Sequence, residues 1–314
     1  MMDWNPAPVE EKISLKFKNP EVLFLALSHP SYAKQINAPE ENNERLAVLG
    51  GMITQGAIAD YLYHRCPYLQ VANYKGLLGK LTEPDRLTKT WFQLGLGDSY
   101  PFLVLTEKRA VLRQKQDNPF VDGFYALVGA IQLERGFSQT SHWIEKHLIA
   151  PLLQRYLKDE TERVEGVTQI KFLGNSVLNA IAADYLYHRL PGVPAKRYQS
   201  FQKYLLSKGA IAGYKDQLQS ETKKGFKQEV GEVYEAFYQE NPRNAFKETR
   251  DWFVSEFLEE EEVLRYAIAQ LLQDKHPQKW IIRTVLGYAS KDYQAGRERF
   301  HELMDEEADT NPES

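Results

Sequence analysis

The sequence predicts an all-α protein with two related helical domains in tandem. Apolar residues recur at spacings of three and four, which is the period of an amphipathic helix, whereas alternating β-branched runs are few. In addition, the segment Ala59–Arg65 (Ala-Asp-Tyr-Leu-Tyr-His-Arg) recurs unchanged as Ala183–Arg189. Two copies so far apart indicate a duplicated domain, because a solenoid uses shorter and more numerous units.

The flanks of this segment extend the repeat in the same register. Leu49-Gly50-Gly51 aligns with Leu173-Gly174-Asn175, and Tyr74 aligns with Tyr198. We therefore refer to a first copy and a second copy, and we call residues equivalent when this alignment relates them.

The predicted helices begin near the N-terminus. Asn19-Pro20-Glu21 is a helix-start pattern and predicts a helix over Val22–Leu27. Each copy then contains a long helix in which large and small apolar residues share one face, as in a helix that is buried on more than one side. The positions that define these two helices are Leu46, Leu49, Ile53, Ala57 and Tyr61, and Ile170, Leu173, Val177, Ala180, Ile181 and Tyr185.

The repeat sets the predicted domain layout. The first domain is expected over residues 9–140 and the second, more altered, over residues 150–275. Residues 276–314 are expected to form a C-terminal helix and an acidic tail that frays from Asp305. The acidic run Glu259–Glu262 is interpreted as an exposed helix start or as a contact for a basic partner.

Composition narrows the function classes. The 314 residues are 43% hydrophobic and 26% charged, and no apolar run reaches the roughly 20 residues that span a bilayer, so no membrane partner is expected. Cys66 is the only cysteine, which favours a reducing compartment and a cytoplasmic location. The net charge of −4 and the pI near 6.0 make RNA binding depend on a local basic patch.

Motifs for other chemistries are missing from the sequence. We find no glycine loop for phosphates, no zinc ligand set and no Ser-His-Asp combination, so no cofactor and no small-molecule substrate are expected. His64 and His188 repeat, and we interpret them as helix-end residues without a chemical role.

Three segments of the first copy resemble the ribonuclease III family. They are His29–Ala33 (His-Pro-Ser-Tyr-Ala), Asn43–Gly51, which is similar to the family's N-E-R-L-E-F-L-G-D, and Asp122–Ile131, which is similar to its D-x-F-E-A-L-I-G-A-I. Ile170–Leu178 of the second copy is a weaker match that the repeat supports. The resemblance covers most of the chain and implies helical domains that pair around an RNA duplex.

The resemblance also implies a metal site built from carboxylates. Family enzymes hold Mg²⁺ with a Glu and an Asp on each of two helices, and the metal activates water for phosphodiester hydrolysis. In the first copy those positions are Ala47, Gly51, Asp122 and Tyr125. Only Asp122 keeps a carboxylate, and we therefore expect no catalytic site, no bound metal and no enzyme activity.

The second copy departs further from the family pattern. Lys171 and Asn175 stand at its first two metal-ligand positions. One hypothesis assigns the other two positions to the segment Glu232–Glu235 (Glu-Val-Tyr-Glu).

The resemblance further implies an apolar residue that inserts into the partner domain. Val48 and Phe172 hold this position in the two copies and are candidate interdomain contacts. An ordinary core role for both is an equally open alternative.

Basic residues that could contact RNA phosphates form clusters. The preferred cluster spans residues 196–204, where aromatic rings could stack on bases. Solvated helix faces are the alternative for every cluster. The candidates are Lys196, Arg197, Tyr198 and Lys203; Lys108, Arg109, Arg113 and Lys115; and Lys223, Lys224 and Lys227.

Taken together, the sequence predicts a non-catalytic, RNA-associated protein that binds structured RNA or a ribonucleoprotein. Plant chloroplast splicing factors with two inactive ribonuclease III domains are similar in this respect, and a ribosome-associated component is a second possibility. The alternative, favoured by the acidic charge, is a scaffold or assembly factor with a protein partner.

Overall fold

The computed structural model describes residues 4–97, 118–153, 167–218 and 224–309. Within these ranges the regular structure is helical and contains no β-strand, which confirms the all-α prediction. None of the described helices is long and apolar enough to cross a membrane. The α-helices are α1 (Ala7–Ile13), α2 (Pro20–Leu27), α3 (Pro30–Gln35), α4 (Glu44–Arg65), α5 (Val71–Leu81), α6 (Pro84–Gln93), α7 (Pro119–Ile144), α8 (Ala150–Leu153), α9 (Val167–Arg189), α10 (Ala195–Leu205), α11 (Lys208–Gln217), α12 (Phe226–Glu240), α13 (Ala245–Phe257), α14 (Glu260–Gln273), α15 (Gln278–Thr284) and α16 (Tyr293–Asp309).

The predicted helix starts and long helices are confirmed. At the start of α2 the Asn19 side chain accepts a hydrogen bond of 3.0 Å from the Glu21 amide, and Pro20 occupies the first turn, where a missing N–H costs nothing. The long helices are α4 and α9, and both include the repeated segment.

Helices α4 and α7 pack with their backbones in contact. A Cβ atom added to Gly50 would overlap the carbonyl oxygen of Tyr125, and one added to Gly129 would overlap that of Leu46. Because only glycine leaves room for this approach, the two helices are held in one register. Their apolar residues, including Leu49 and Phe124, are buried around this contact.

The second copy repeats the same contact between α9 and α12. A Cβ atom on Gly174 would overlap the carbonyl oxygen of Lys227, and one on Gly231 would overlap that of Ile170. Gly174 is equivalent to Gly50, and Ile170 is equivalent to Leu46. Helix α12 therefore takes the place in the second copy that α7 takes in the first.

Backbone contacts divide the chain into two units. The first contains the described residues within Met1–Ala183 and Glu221–Arg250, and the second those within Asp184–Ser220 and Asp251–Ser314. The α4–α7 and α9–α12 contacts both lie in the first unit. The domain boundaries predicted from the repeat stay a prediction.

The second unit holds the acidic run at the start of α14. Glu260 pairs with Arg189, and Glu261 pairs with Arg265 and Arg299. The run is thus a helix start, as predicted, and the carboxylates of Glu260 and Glu261 have partners within the unit.

The C-terminal part of this unit is more helical than predicted. It contains two helices, α15 and α16, where one was expected. The helix α16 extends through Asp309, and the fraying of the acidic tail stays a prediction.

The glycine contact predicts a difference between two single replacements. Gly50→Ala should lower the free energy of unfolding by about 2 kcal/mol, since the added methyl group forces α4 and α7 apart. Gly76→Ala, in α5 where a Cβ atom meets nothing within 4 Å, should raise it by up to about 1 kcal/mol, because alanine favours the helix. Urea unfolding measures both values. Equal values for the two variants would contradict the backbone contact.

Candidate functional site

The signature positions of the first copy meet at the α4–α7 contact. Ala47 and Gly51 are one turn apart on α4, and Asp122 and Tyr125 are one turn apart on α7. A Cβ atom on Gly51 would lie 3.9 Å from the Tyr125 ring, so the aromatic ring covers this position. Burial, with the charge of Asp122, raises the pKa of Tyr125 to about 12. Tyr125 therefore presents a neutral phenol beside the exposed Asp122.

The glycine contacts identify the matching positions in the second copy. Since the Lys227 carbonyl meets Gly174 as the Tyr125 carbonyl meets Gly50, Lys227 stands in the place of Tyr125. Lys224, three residues earlier, aligns with Asp122 by sequence spacing, but it lies before the start of α12, whereas Asp122 lies inside α7.

The hypothesis that Glu232–Glu235 fills these two positions is therefore wrong. The glycine register places that segment one to two turns further along α12. There Glu232 accepts a hydrogen bond of 2.8 Å from the Lys224 ammonium group, and Glu235 contacts His64.

These two sets of residues differ from what a divalent cation needs. Mg²⁺ takes oxygen ligands, mainly carboxylates and water. The first copy offers one carboxylate, and the second offers the ammonium groups of Lys171, Lys224 and Lys227 with the amide of Asn175. Among the described residues, no group of three or more His, Cys, Asp or Glu side chains is placed to hold a metal. The residues at these positions do not fit a carboxylate-held Mg²⁺ ion.

The cluster predicted to bind RNA is only partly available. Lys196 and Lys203 are exposed on α10, whereas Arg197 forms an ion pair with Asp274. Tyr198 is 3% exposed, and its hydroxyl donates to the Leu190 carbonyl. The base-stacking role of Tyr198 is therefore corrected, because its ring belongs to the core.

The neighbouring aromatic rings are also engaged. Phe201 is buried, while the Tyr204 ring stacks on Tyr266 at 3.7 Å and its hydroxyl donates to Glu262 at 2.6 Å.

The two remaining basic clusters are only partly described. Lys108, Arg109, Arg113 and Lys115 lie outside the described residues, as does Lys223.

Tyr198 repeats for a structural reason. Its equivalent, Tyr74, is also buried and donates a hydrogen bond of 3.0 Å to the carbonyl of Cys66, which is equivalent to Leu190. The identity of the two tyrosines thus preserves one core hydrogen bond in each copy.

The interdomain candidates occupy different surroundings. The Phe172 ring lies 5.5 Å from the Tyr74 ring, so it contacts the first copy, and Val48 is half-buried on α4. Near Phe172, the Gln169 amide donates hydrogen bonds to the Leu69 and Pro67 carbonyls at 2.7 and 3.3 Å. The insertion role of Val48 and Phe172 stays a prediction.

Helices α4 and α9 approach each other at small residues. A Cβ atom on Gly56 would lie 3.1 Å from the Cβ of Ala180, its own equivalent in the second copy. A residue meets its own equivalent near the axis of a two-fold related pair. Close by, the Phe137 and Phe246 rings stack at 4.2 Å.

A partly buried charged cluster centres on His64, at the end of α4. Its Nε2 lies 2.8 Å from Glu235 Oε2, and its Nδ1 lies 2.9 Å from the Asp60 carbonyl and 3.1 Å from the Asp60 carboxylate. The Tyr238 ring stacks on the imidazole at 3.7 Å, and Tyr234 donates a hydrogen bond of 2.9 Å to Asp60. The cluster joins α4 of the first copy to α12 of the second.

The cluster holds His64 as a cation. Burial alone would lower the pKa of the imidazole, but hydrogen bonds to the Asp60 and Glu235 carboxylates raise it to about 9. The sequence predicts His64 to be a helix-end residue without a chemical role, and the ion pairs with Asp60 and Glu235 correct this interpretation. The Asp60–His64 spacing of one helical turn was a visible signal, whereas Glu235 is too distant in sequence to be paired by inspection. The equivalent His188 is 57% exposed.

The raised pKa predicts how stability depends on pH. The free energy that the His64 cation contributes is fully present below the unfolded pKa of about 6.5 and is lost as the pH rises through about 9. Its upper bound is about 3 kcal/mol. His64→Gln should therefore destabilise the protein much more at pH 6 than at pH 9.5, as measured by urea unfolding.

His188→Gln is the matched control for this experiment. Because His188 is largely exposed, its replacement should change stability little at either pH. A loss for His64→Gln that does not vary with pH would contradict a charged His64.

Comparisons with known proteins find similarity to ribonucleases. Residues 19–152 match a family model described as "Ribonuclease-III-like". The chain is 27% identical to Ribonuclease 3 of Bdellovibrio bacteriovorus over 175 residues, which cover 55% of this chain and 73% of that protein. It is 31% identical to Ribonuclease 3 of Borreliella burgdorferi over 134 residues, 43% of this chain and 54% of that protein. It is 29% identical to Ribonuclease 3 of Campylobacter jejuni over 171 residues, 53% of this chain and 73% of that protein.

These matches contradict the prediction that the chain is not an enzyme. The relatives carry the name of an enzyme, Ribonuclease 3. The prediction rested on replacements at single positions, from Ala47 to Asn175, and such replacements do not by themselves establish that an activity is lost. The prediction is withdrawn.

Proposed function

We propose that the chain binds structured, double-stranded RNA and acts on it. The observation that carries this proposal is the match of residues 19–152 to the ribonuclease-III-like family. The match extends from Asn19, which caps α2, into α8, and so includes the α4–α7 contact. The relatives are named as ribonucleases, and this makes RNA the polymer to test.

The proposal includes pairing of the two copies within one chain. The close approach of Gly56 to Ala180 and the contact of Phe172 with Tyr74 support it, because both join helix α9 to the first copy. Domains over residues 9–140 and 150–275, followed by the C-terminal segment 276–314, are part of the same proposal.

The proposal also includes a biological setting. A role on a ribonucleoprotein, as in intron splicing or on a ribosome, is compatible with RNA binding and with an additional protein partner. The net charge of −4 means that binding depends on local clusters of lysine and arginine. A cytoplasmic location stays a prediction from the single cysteine, Cys66, which is buried and free.

RNA binding predicts a specific response to salt. The chain should retain a labelled RNA duplex of about two helical turns at moderate ionic strength, and more weakly retain single-stranded RNA of the same sequence. The logarithm of the association constant should fall linearly with the logarithm of the salt concentration, with a slope of roughly 0.9 per phosphate contact on a duplex. Fluorescence anisotropy over a salt series measures both quantities.

The outcome of this titration separates the candidate functions. Salt-dependent duplex binding supports the proposal, and equal weak binding to every polymer overturns it. The same samples with added Mg²⁺ report hydrolysis, and Asp122→Asn then shows whether the one retained carboxylate of the first copy takes part.

Exposed lysines on α10 provide a test of the interface. Replacing Lys196 and Lys203 together by Glu should weaken duplex binding at least tenfold and lower the salt slope by about 2, because two phosphate contacts are lost. The control replaces Lys279 and Lys291, which are exposed in other elements, by Glu. If the control weakens binding equally, net charge rather than this cluster determines affinity.

A further inference from the structure

The second copy concentrates positive charge at the α9–α12 contact. Lys171 follows Ile170, whose carbonyl meets Gly231, and the Lys227 carbonyl meets Gly174. Asn175 lies one helical turn after Lys171 on α9, and Lys224 lies two residues before the start of α12. The side chains of these four residues therefore start close to the point where the backbones of α9 and α12 are in contact. We call them the lysine site: Lys171, Asn175, Lys224 and Lys227.

The charges of this site are only partly compensated. Lys224 donates a hydrogen bond of 2.8 Å to Glu232, which also accepts one from Gln228. The Lys224–Glu232 pair raises the pKa of Lys224 and lowers that of Glu232. With the other described residues, neither Lys171 nor Lys227 forms an ion pair or a side-chain hydrogen bond. Glu229 is two residues from Lys227 on α12, so the two do not share a helix face.

The position of the lysines opposes the local electrostatics. Lys224 and Lys227 flank the start of α12, where the helix dipole is positive and a cation is destabilising. The cap residue there is Gly225, which has no side chain that could cap the helix. Lys224 has Glu232 as a partner, but Lys227 has none among the described residues. A charged residue placed unfavourably and without a partner is typical of a binding site. A bound anion at this end of α12 would compensate the charges of the lysines and interact favourably with the helix dipole.

We propose that the lysine site binds a backbone phosphate of RNA, with the ammonium groups of Lys171 and Lys227 as its main ligands. This inference rests on the proposed function, and it assigns the two copies different tasks. The first copy presents the carboxylate of Asp122 beside a neutral Tyr125 at the equivalent place. The second presents cations and an amide donor, which suit a phosphodiester oxygen.

Glu232 limits the positive charge of the lysine site. By pairing with Lys224, its carboxylate reduces the positive charge available to a phosphate. Removing that carboxylate should free Lys224 and strengthen binding. An increase in affinity is diagnostic, because a damaged fold would not produce it.

The test measures duplex RNA binding by the full chain and its variants over a salt series. Lys171→Gln with Lys227→Gln should weaken binding about tenfold and lower the salt slope by about 2. Without RNA, the urea concentration at the midpoint of unfolding should be unchanged or higher for this variant. Lys171→Arg with Lys227→Arg should restore binding, and Glu232→Gln should strengthen it severalfold. Lys279→Gln with Lys291→Gln is the matched control.

Each result decides between the two levels of the proposal. If the unchanged chain binds no duplex RNA, the proposed function fails and the lysine site fails with it. If the chain binds but the Lys171 and Lys227 pair can be replaced by Gln with the affinity and slope of the control pair, the lysine site is overturned and the proposed function stands. A Glu232→Gln variant that binds duplex RNA more weakly than the unchanged chain would also overturn the lysine site.

Discussion

Contact between the backbones of paired helices determines where the side chains of the candidate sites lie in this chain. At Gly50 and Gly129 the helices α4 and α7 approach until a methyl group would collide with a carbonyl oxygen. Such an approach fixes rotation and translation of both helices together, since ridges of side chains no longer separate them. The side chains that follow each glycine then emerge at defined places. Gly174 and Gly231 impose the same geometry on α9 and α12.

Within this shared frame the copies have diverged in charge. The first copy fills the place beside Gly51 with the ring of Tyr125, whereas the second puts Lys227 at the equivalent position. Because the backbone register is the same, the contrast is one of chemistry and not of geometry. A chain with an overall net charge of −4 can in this way carry a concentrated positive site.

The helices can be predicted from the sequence, but the contacts between residues of different helices cannot. Periodicity predicted α4 and α9, and the Asn19-Pro20 pattern predicted the start of α2, because both signals are local. The assignment of Glu232–Glu235 failed because it compared residue types, while the register of α12 depends on where Gly231 meets a carbonyl. Tyr198 was misread because an aromatic beside two basic residues resembles a nucleic-acid contact. Its burial follows from a hydrogen bond to a distant carbonyl.

The His64 cluster combines different residues from the two copies. By the glycine register, the residue of the first copy that is equivalent to Glu235 is Leu133, and the equivalent of Tyr238 is Gly136. Two first copies brought together in the same manner would set the imidazole of His64 against an aliphatic chain, without an acid or a stacking ring. A symmetric pair of two first copies would therefore lack the contacts that His64 makes with Glu235 and Tyr238. The cluster needs Asp60 and His64 from the first copy and Glu235 and Tyr238 from the second.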